Sequence, residues 1–350
     1  MNSKLKTQNS KLSKPRYMMI GGFLGAGKTT AVAQLANYFS EKGFRVGLIT
    51  NDQGKNLVDT AMLTSRGFAT EEISGGCFCC RFNSLLDAAK KLSAETKPDI
   101  FIAEPVGSCT DLVATVTYPL RRIYGENFSI APLSVLIDPI RAARIFGLES
   151  GGNFSDKVVY IYRKQLEEAD FIVINKCDLL NAQKINKLRE VLAENFSRVM
   201  VFEISARCRT GLEKWFEAIL SSEQKTFPSM NVNYEIYAEG EALLGWLNAT
   251  VRLNAKNEFD GNTVLKIIAD ELQKNLNEAG AEIAHLKMTL DPENVIGDLA
   301  VINLVRNDVV PELSQELSDE IQNGLLTVNI RAEIAPEFLR DALTAALKNV

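Results

Sequence analysis

The chain has 350 residues, of which 46% are hydrophobic and 24% are charged, and its net charge is -5. This mildly acidic balance gives no electrostatic footprint for nucleic acid, and no apolar run approaches the roughly 18 residues that span a bilayer. The composition therefore favours a globular protein of two domains that binds neither nucleic acid nor a membrane.

The first fifteen residues are basic and polar, and they lack the apolar middle of a secretory signal. We interpret residues 1–15 as a disordered basic tail, with a basic docking arm as the alternative. The protein is accordingly expected to be cytoplasmic. Its six cysteines are then expected to be mostly reduced thiols.

A buried strand, a glycine-rich loop and the start of a helix follow one another in residues 17–30. The loop has the spacing G-x-x-x-x-G-K-[ST], which wraps the phosphates of a nucleotide. Its glycines let backbone N–H groups point inward, its lysine supplies a charge for the β and γ oxygens, and its threonine hydroxyl ligates Mg²⁺. A glycine-rich turn that binds nothing is the alternative. The predicted nucleotide-binding residues of this loop are Gly22, Gly25, Ala26, Gly27, Lys28, Thr29 and Thr30.

Apolar strands alternate with helices over residues 16–222. This alternation predicts an α/β domain, with a mainly parallel sheet and helices on both faces. Ligands of such sheets bind beyond the carboxyl ends of the strands, so polar residues there should converge with the glycine-rich loop. These residues are Glu104, Asp138, Asn175 and Ser205. The predicted strands are 17–20, 45–50, 99–103, 133–137, 171–174 and 199–204, and the predicted helices are 29–42, one ending near 92, 110–124, 156–169, 182–195 and 212–220.

Three cysteines lie within four residues, behind two glycines, in residues 75–80. A cluster of reduced thiols suits a soft or borderline metal such as Zn²⁺ or Cu⁺. Cys77, Cys79 and Cys80 leave one position of a tetrahedral ion open, which favours a metal that is handed on over a structural zinc. The candidate fourth ligand is water, Cys109 or Asp52. Inert buried cysteines or a redox pair are the alternatives.

The residues after the strand at 99–103 form a second element beside the phosphates. Glu104 can hold Mg²⁺ through water, and the N–H of Gly107 can contact a γ-phosphate. Asp52 is a further candidate for the Mg²⁺ shell, and a solvated loop carboxylate is an equally good interpretation of it. Lys28 and Glu104 are the predicted catalytic residues, and no residue is assigned as the base that activates water.

An Asn-Lys-x-Asp sequence begins at Asn175, directly after a buried strand, and indicates a guanine base. A buried carboxylate at Asp178 can accept hydrogen bonds from the N1–H and the exocyclic amine of guanine, a donor pair that adenine lacks. The stem of Lys176 can lie on the purine face, and Asn175 can brace the loop. A polar strand-to-helix turn is the alternative. The residues predicted to add a backbone N–H for the guanine oxygen are Ser205, Ala206 and Arg207.

The pattern changes near residue 223, where a polar segment with a proline predicts a linker over 223–233. Residues 234–350 are expected to form a small α+β domain. The predicted elements are extended hairpin material at 234–253, a helix at 263–278, strands at 282–290, 300–305 and 325–333, and a last helix from 336. His285 alternates with Ala284, Leu286 and Met288, which are predicted on the opposite face of a strand, and is interpreted as an exposed histidine in preference to a metal ligand. Trp246 is interpreted as a core or interface residue in preference to a binding platform. Cys177 and Cys208 are interpreted as small packing residues.

Taken together, these motifs resemble those of the CobW-type GTPases, which belong with HypB and UreG to the metal-centre P-loop GTPases. The matching segments are residues 21–30 (GGFLGAGKTT), 75–80 (GGCFCC), 104–107 (Glu-x-x-Gly), 165–178 (QLEEADFIVINKCD) and 205–207 (SAR). They keep the family's order and extend from residue 16 to about residue 220.

The resemblance implies GTP hydrolysis coupled to delivery or insertion of a metal or metal cofactor, zinc, cobalt or corrinoid-related, into a client protein. It makes Cys77, Cys79 and Cys80 the metal cysteines. The implied ligands are GTP, Mg²⁺ and Zn²⁺ or another thiophilic divalent metal. Thr50 and Lys55 stand where the family usually has acidic residues, which leaves the metal and its fourth ligand open. The expected client is a metalloprotein or a corrinoid-dependent enzyme, and a homodimer is a further candidate assembly.

Two other functions fit part of this pattern. A regulatory GTPase switch would use the same nucleotide site with incidental cysteines and transfer no metal. An ATP-dependent kinase would use the phosphate loop without a preference for guanine. Metal titration in different nucleotide states distinguishes the first alternative from a metallochaperone, and base preference distinguishes the second.

Overall fold

A computed structural model of the chain describes residues 12–52, 63, 67–74, 82–125, 127–224, 230–292 and 298–350. Within these residues the chain forms a parallel sheet with helices on both faces and a separate antiparallel sheet packed with helices. The fold class predicted from the sequence is confirmed. The predicted domain boundaries and the linker stay predictions, and residues 225–229 of that linker lie outside the described residues.

The parallel sheet contains eight strands of the described chain. They are β1 (Arg16–Gly22), β2 (Val46–Asp52), β3 (Ala69–Ser74), β4 (Ile100–Glu104), β5 (Ser129–Ile130), β6 (Ser134–Ile137), β7 (Phe171–Ile174) and β8 (Met200–Glu203). Their order is β3-β2-β4-β1-β6-β7-β8, and the short β5 also pairs with β1. Each of these pairs is parallel.

Strands β3 and β5 were not predicted from the sequence. Among the described strands β3 lies at the edge of the sheet, where it pairs with β2, and most of its residues are only half-buried. It therefore lacks the apolar run that marks a central strand of a parallel sheet. β5 has two residues, too few for any periodic pattern.

The side chains of the central strand β1 alternate between two hydrophobic cores. Tyr17 and Met19 pack in one core, and Met18 and Ile20 pack in the other. The alternation arises because successive side chains of a strand point to opposite faces. Helices close both cores, so the whole strand is buried and reads as a continuous apolar run.

The helices of this part are α1 (Lys28–Glu41), α2 (Phe82–Glu95), α3 (Tyr118–Tyr124), α4 (Pro139–Ile145), α5 (Asp156–Glu167), α6 (Ala182–Asn195) and α7 (Leu212–Ser221). One continuous helix was predicted over 110–124, but a π-helical turn, Val113–Thr117, precedes α3. The short α4 was not predicted. The Asp138 side chain caps it by accepting hydrogen bonds from the N–H groups of Ile140 (3.1 Å) and Arg141 (3.0 Å).

The antiparallel sheet contains β9 (Leu244–Phe259), β10 (Glu282–Asp291), β11 (Ala300–Leu304), β12 (Glu312–Gln315) and β13 (Ile321–Glu333), in the order β12-β11-β10-β13-β9. The helices of this region are α8 (Tyr234–Leu243), α9 (Gly261–Glu278) and α10 (Pro336–Ala346). Side chains of α9 and α10 share a hydrophobic core with one face of the sheet. The other face is therefore left for a different contact.

The prediction of an extended hairpin over residues 234–253 is wrong. The first half forms α8, and the second half begins the single long strand β9. Asn233 starts the helix, because its side chain accepts hydrogen bonds from the N–H groups of Glu235 (3.0 Å) and Ile236 (3.2 Å). A polar residue that reads as part of a linker is therefore the helix cap.

A β-bulge in β10 brings the antiparallel sheet into contact with the glycine-rich loop. The pairing of β10 with β13 shifts between Ile283 and His285, so Ala284 is the extra residue. Ile283 packs in the core of the antiparallel sheet, whereas Ala284 packs in a core of the parallel sheet. Gly25 approaches so closely that a Cβ there would lie 3.0 Å from the Ala284 carbonyl oxygen. The open face of the antiparallel sheet therefore covers the end of β1.

Candidate functional site

A cavity of about 610 Å³ lies between the carboxyl ends of the parallel strands and the open face of the antiparallel sheet. β1 lies between β4 and β6 at the centre of the parallel sheet, and the glycine-rich loop leaves its carboxyl end. Ligands of open α/β sheets bind at this kind of position. The predicted site residues that line the cavity are Gly25, Gly27, Lys28, Thr29, Thr30, Glu104, Gly107, Asn175, Lys176, Asp178, Ala206 and Arg207.

The backbone of the glycine-rich loop depends on Gly22. Its φ is 129°, and a Cβ there would lie 2.3 Å from the carbonyl oxygen of Leu136 in β6. Gly22 therefore lets the chain turn out of β1 while in contact with the neighbouring strand. Gly22, Ala26 and Ser205, which the sequence assigned to the nucleotide, are not among the residues that line the cavity.

Lys28, Thr29 and Glu104 are buried, and all three line the cavity. The Thr29 hydroxyl donates to Glu104 Oε1 over 2.9 Å. Lys28 Nζ lies 3.4 Å from the carbonyl oxygen of Phe23, within the same loop. The structure therefore brings together two hard oxygen ligands and a cation, the chemistry expected beside a metal-bound phosphate chain.

Asn175 joins the glycine-rich loop to the loop after β8. Its Nδ2 donates to the carbonyl oxygen of Ala26 (2.9 Å), and its Oδ1 accepts from the N–H of Ala206 (3.0 Å). The N–H of Ser205 donates to Thr210 O (3.0 Å). The N–H groups of Ser205 and Ala206 thus both donate to protein acceptors, and their role as donors to a guanine oxygen stays a prediction.

Lys176 and Asp178 line the same cavity. Lys176 has a φ of 57°, and its Nζ donates to Gly25 O (2.7 Å) and to Asp138 Oδ2 (2.9 Å). Asp178 lies on the short 3₁₀ turn Cys177–Leu179 and lines the cavity. Its side chain is exposed, whereas the sequence predicted a buried carboxylate.

Asp138 and Arg306 form a buried ion pair between the two sheets. Arg306 Nη1 lies 3.1 Å and 3.3 Å from the two carboxylate oxygens. Burial alone would raise the pKa of Asp138, but Lys176, Arg306 and the N–H of Arg141 outweigh burial and hold that pKa at about 2. Asp138 was predicted to lie at the site without a stated role, and Arg306 was not predicted.

The open face of the antiparallel sheet presents a cluster of polar side chains, which we call the facing polar cluster: His285, Lys287, Asn303, Asn329 and Arg331. His285 lies opposite Arg331, and Lys287 lies between Asn329 and Asn303 on neighbouring strands. Such cross-strand pairs share one face of a sheet. All five side chains line the cavity, and sequence reasoning did not find them as site residues.

The interpretation of His285 as an exposed residue is wrong. It is half-buried, and its Nε2 lies 2.7 Å from Asn329 Oδ1. Leu286 and Met288 lie in the core on the opposite face of the strand, as the alternation predicted, but Ala284, predicted on the same face, packs in the core of the parallel sheet because of the bulge. Trp246 is half-buried and also lines the cavity, so its interpretation as a core or interface residue stays a prediction.

The segment after Glu104 is held from both sides. Gln165 Nε2 in α5 donates to the carbonyl oxygens of Gly107 (2.9 Å) and Cys109 (2.7 Å). Arg331 Nη1 in β13 donates to the Ser108 hydroxyl over 2.9 Å. This segment therefore contacts the cavity, a helix of the parallel sheet and a strand of the antiparallel sheet at once.

The predicted metal cysteines Cys77, Cys79 and Cys80 lie outside the described residues, as does the Asp52 side chain. Within the described part of the chain, no group of three or more His, Cys, Asp and Glu residues is placed to hold a metal ion. Cys208 is exposed, so its interpretation as a packing residue is wrong. Cys177 is half-buried, and its thiol donates to Ile174 O over 3.2 Å.

Comparison with known proteins identifies the family. Residues 16–202, more than half of the chain, match the family model described as CobW/HypB/UreG, nucleotide-binding domain. The chain belongs to the CobW/HypB/UreG family. The resemblance stated from the motifs is thereby confirmed.

Three relatives illustrate this membership of the CobW/HypB/UreG family. The zinc chaperone CobW of Sinorhizobium sp is 28% identical over 55% of this chain and 60% of its own length. The zinc-regulated GTPase metalloprotein activator 1 of Dictyostelium discoideum is 25% identical over 50% of this chain and 42% of its own length. The zinc chaperone YjiA of Escherichia coli is 26% identical over 53% of this chain and 56% of its own length. The match thus spans about half the length of these relatives.

Solved structures related to the CobW/HypB/UreG family are more distant. HypB from Helicobacter pylori in complex with nickel has 20% identity and a TM-score of 0.45, covering 61% of this chain and 91% of that chain. Zn(II)-bound YjiA GTPase from E. coli has 17% identity and a TM-score of 0.39, covering 96% of this chain and 99% of that chain. Among the residues described for this chain, no helix is both long and apolar enough to cross a membrane.

Proposed function

We propose that this chain is a GTP-binding and GTP-hydrolysing metallochaperone. Its nucleotide state is coupled to the delivery or insertion of a metal or metal cofactor into a client protein. The observation that carries the nucleotide part is that the phosphate-loop residues, Glu104 and the Asn-Lys-x-Asp sequence line one cavity. The names of the relatives, which include zinc chaperones and a zinc-regulated GTPase metalloprotein activator, support the metal part.

The phosphates are assigned to the end of the cavity formed by the loop and α1. Loop N–H groups and the positive end of the α1 dipole would face the anion, and Lys28 would neutralise the β and γ oxygens. Thr29 and Glu104 fit Mg²⁺, because they place a hydroxyl and a carboxylate oxygen 2.9 Å apart in a buried position. When bound there, Mg²⁺ would neutralise charge on the phosphates.

The base is assigned to the end of the cavity that contains Asp178. An exposed carboxylate becomes desolvated when a base covers it, so Asp178 can accept from guanine N1–H and the exocyclic amine in the complex. The stem of Lys176, tied to Gly25 and Asp138 by its ammonium group, would lie along the purine. Asn175 keeps this loop in register with the phosphate loop.

The transferred metal is assigned to Cys77, Cys79 and Cys80, whose spacing and thiol chemistry suit Zn²⁺ or another thiophilic divalent ion. Coupling requires that these thiolates bind the metal with different affinity in the GTP and GDP states. The proposed client is a metalloprotein or a corrinoid-dependent enzyme. The proposal also includes a homodimer of this chain and a cytoplasmic location.

Base recognition is tested by exchanging nucleotides. Asp178→Asn should weaken binding of GTP at least about tenfold, since a hydrogen bond to a charged group is lost. The same variant should gain affinity for xanthosine triphosphate, whose C2 carbonyl accepts where guanine donates. Asp341→Asn, an exposed aspartate of α10, is the matched control. A wild-type preference for ATP, or full GTP affinity in Asp178→Asn, would contradict the proposal.

Metal coupling is tested by titrating Zn²⁺ into the protein with GDP and with a non-hydrolysable GTP analogue. The Cys77→Ser/Cys79→Ser/Cys80→Ser variant should lose one bound Zn²⁺, while Cys208→Ser, at an exposed thiol, should keep it. Wild-type affinity for Zn²⁺ should differ between the two nucleotide states. If the triple variant keeps the same metal stoichiometry and GTPase rate, a regulatory GTPase switch without metal transfer replaces the metallochaperone.

A further inference from the structure

Lys287 reaches from the antiparallel sheet to the phosphate loop. It lies in β10, in a different sheet from the loop, and its Nζ lies 3.4 Å from the Thr29 hydroxyl. That hydroxyl in turn donates to Glu104. The side chain of Lys287 is half-buried and lines the cavity. A cation from the second sheet thus stands within the group of residues assigned to the phosphates.

The position of Lys287 is fixed by the contacts of Arg141, Arg306 and Asp138 between the two sheets, which we call the seam. Arg141 Nη2 donates to two carbonyl oxygens of the antiparallel sheet region. One belongs to Ile283, which lies in β10 with Lys287, and the other to Val305, which directly follows β11. Arg306 is paired with the buried Asp138. These contacts, together with the bulge at Ala284, set the register in which β10 crosses the loop. Lys287 is therefore held opposite Thr29 by main-chain placement, and the long stem leaves its ammonium able to follow an anion.

The contact with Thr29 identifies which phosphate Lys287 faces. In a phosphate loop of this type, the threonine hydroxyl marks the metal between the β- and γ-phosphates. Lys176, in the loop assigned to the base, contacts Gly25 in the phosphate loop, whereas Lys287 contacts Thr29 at its end. Lys287 thus lies at the terminal end of the phosphate chain. Two other cations from the antiparallel sheet region also line the cavity. Arg306 donates to Asp138, and Arg331 donates to Ser108.

We propose that Lys287 binds the terminal phosphate of the bound triphosphate, so that the antiparallel sheet completes a site which the phosphate loop begins. The inference rests on the proposed GTP binding and adds a residue that distinguishes GTP from GDP. A charge-assisted hydrogen bond to the γ-phosphate exists only in the triphosphate complex. The antiparallel sheet therefore senses the nucleotide state directly through β10.

The test compares affinities for GDP and for a non-hydrolysable GTP analogue by calorimetry, in the full chain with Mg²⁺ present. Lys287→Met keeps the stem and removes the charge, and it should weaken the analogue about tenfold while GDP affinity changes less than about twofold. Lys287→Arg should retain most of the preference for the triphosphate. Lys274→Met, at an exposed lysine of α9, is the matched control and should behave as wild type.

Thermal unfolding of each variant shows whether it is folded, and Lys287→Arg keeps the test valid where Lys287→Met is destabilised. An unchanged ratio of the two affinities in Lys287→Met, with wild type binding guanine nucleotides normally, overturns the role of Lys287 and leaves the proposed function intact. Equal losses for both nucleotides also overturn it. If the wild-type chain binds neither guanine nucleotide, the proposed function itself fails.

Discussion

The two walls of the cavity are built in different ways. The parallel sheet presents the ends of its strands, so its contribution consists of loops whose backbone groups and polar side chains line the cavity. The antiparallel sheet presents a face, and its contribution consists of long side chains from the middle of β10 and β13. The first wall is held by backbone conformation, and the second by its contact with the first.

This difference determines how each wall can fail. A wall made of backbone depends on φ and on close approach, so adding one methyl group can disrupt it. A wall made of side chains on a sheet tolerates single exchanges, because neighbouring strands keep the sheet in place. The seam between the walls contains buried charges, and the loss of one partner there leaves the other charge uncompensated.

The largest effect is expected at Gly22. Gly22→Ala would place a Cβ 2.3 Å from Leu136 O at a φ of 129°, so the loop or β6 must shift. Backbone strain and overpacking together should lower the free energy of unfolding by at least about 4 kcal/mol and abolish GTP binding. Urea denaturation and nucleotide titration measure both effects.

The matched control is its neighbour. Gly21→Ala would meet nothing nearer than 3.7 Å, and the contacts there are side-chain methyl groups of Leu112, Val135 and Leu133. It should unfold within about 1 kcal/mol of wild type, the range of well-tolerated hydrophobic exchanges. If Gly21→Ala and Gly22→Ala destabilised the protein equally, the parallel-sheet wall would not depend on the close approach of Gly22 to Leu136.

The next effect is expected at the seam. Asp138→Asn keeps an oxygen for the N–H groups of Ile140 and Arg141. It removes the buried carboxylate from Arg306 and from Lys176, and leaves Arg306 paired with the half-exposed Asp308. Removing one member of a buried ion pair should lower the free energy of unfolding by about 3 kcal/mol at neutral pH. Asp308→Asn, at a half-exposed partner of Arg306, should cost less than about 1 kcal/mol.

The pH dependence of this difference follows from the pKa of Asp138. That pKa is lowered from 3.8 to about 2, so the carboxylate stabilises the folded state above about pH 4. The advantage of wild type over Asp138→Asn should shrink as the pH falls from 4 towards 2. Denaturation curves of both proteins over this range measure it, and a constant difference would contradict the ion-pair explanation.

Most residues that line the first wall could be found from the sequence, because their signals are local, and their binding roles stay predictions. The glycine spacing, the polar residues at strand ends and the Asn-Lys-x-Asp sequence each lie within a few residues, and the parallel topology then brings them together. The exposure of Asp178 was not predicted, because it depends on how far the short turn after β7 extends beyond the cavity wall.

The second wall could not be predicted from local signals. His285 and Lys287 alternate with core residues, a pattern typical of any strand with one solvent-facing side. What turns that side into a cavity wall is the contact of Ala284 with Gly25, two residues far apart in the sequence. The bulge at Ala284 that makes this contact cannot be recognised from hydrophobic periodicity. The pairing of Arg306 with Asp138 cannot be recognised from it either.

The last effect is a change of stability with pH, expected where the segment after Gly107 packs against the parallel-sheet part of the chain. The carboxyl group of Glu168 accepts from the N–H of Val113 over 3.0 Å and lies near the Thr110 hydroxyl at 3.4 Å. Burial raises the pKa of Glu168 from 4.5 to about 8, with the negative charge of Asp111 adding to the rise. The folded state therefore holds a proton that the unfolded chain releases at lower pH.

The sign of the effect follows from this proton. Between about pH 4.5 and pH 8 the folded state binds more protons than the unfolded state, so wild-type stability relative to Glu168→Gln falls as the pH rises. The slope is at most about 1.4 kcal/mol per pH unit. Urea denaturation of both proteins across this range measures it. Glu167→Gln, at an exposed carboxylate paired with Lys164, should show no such slope. If the stability difference between wild type and Glu168→Gln did not change with pH, the Glu168 carboxyl group would be ionised in the folded protein. The segment that Arg331 contacts at Ser108 would then pack against a negative charge.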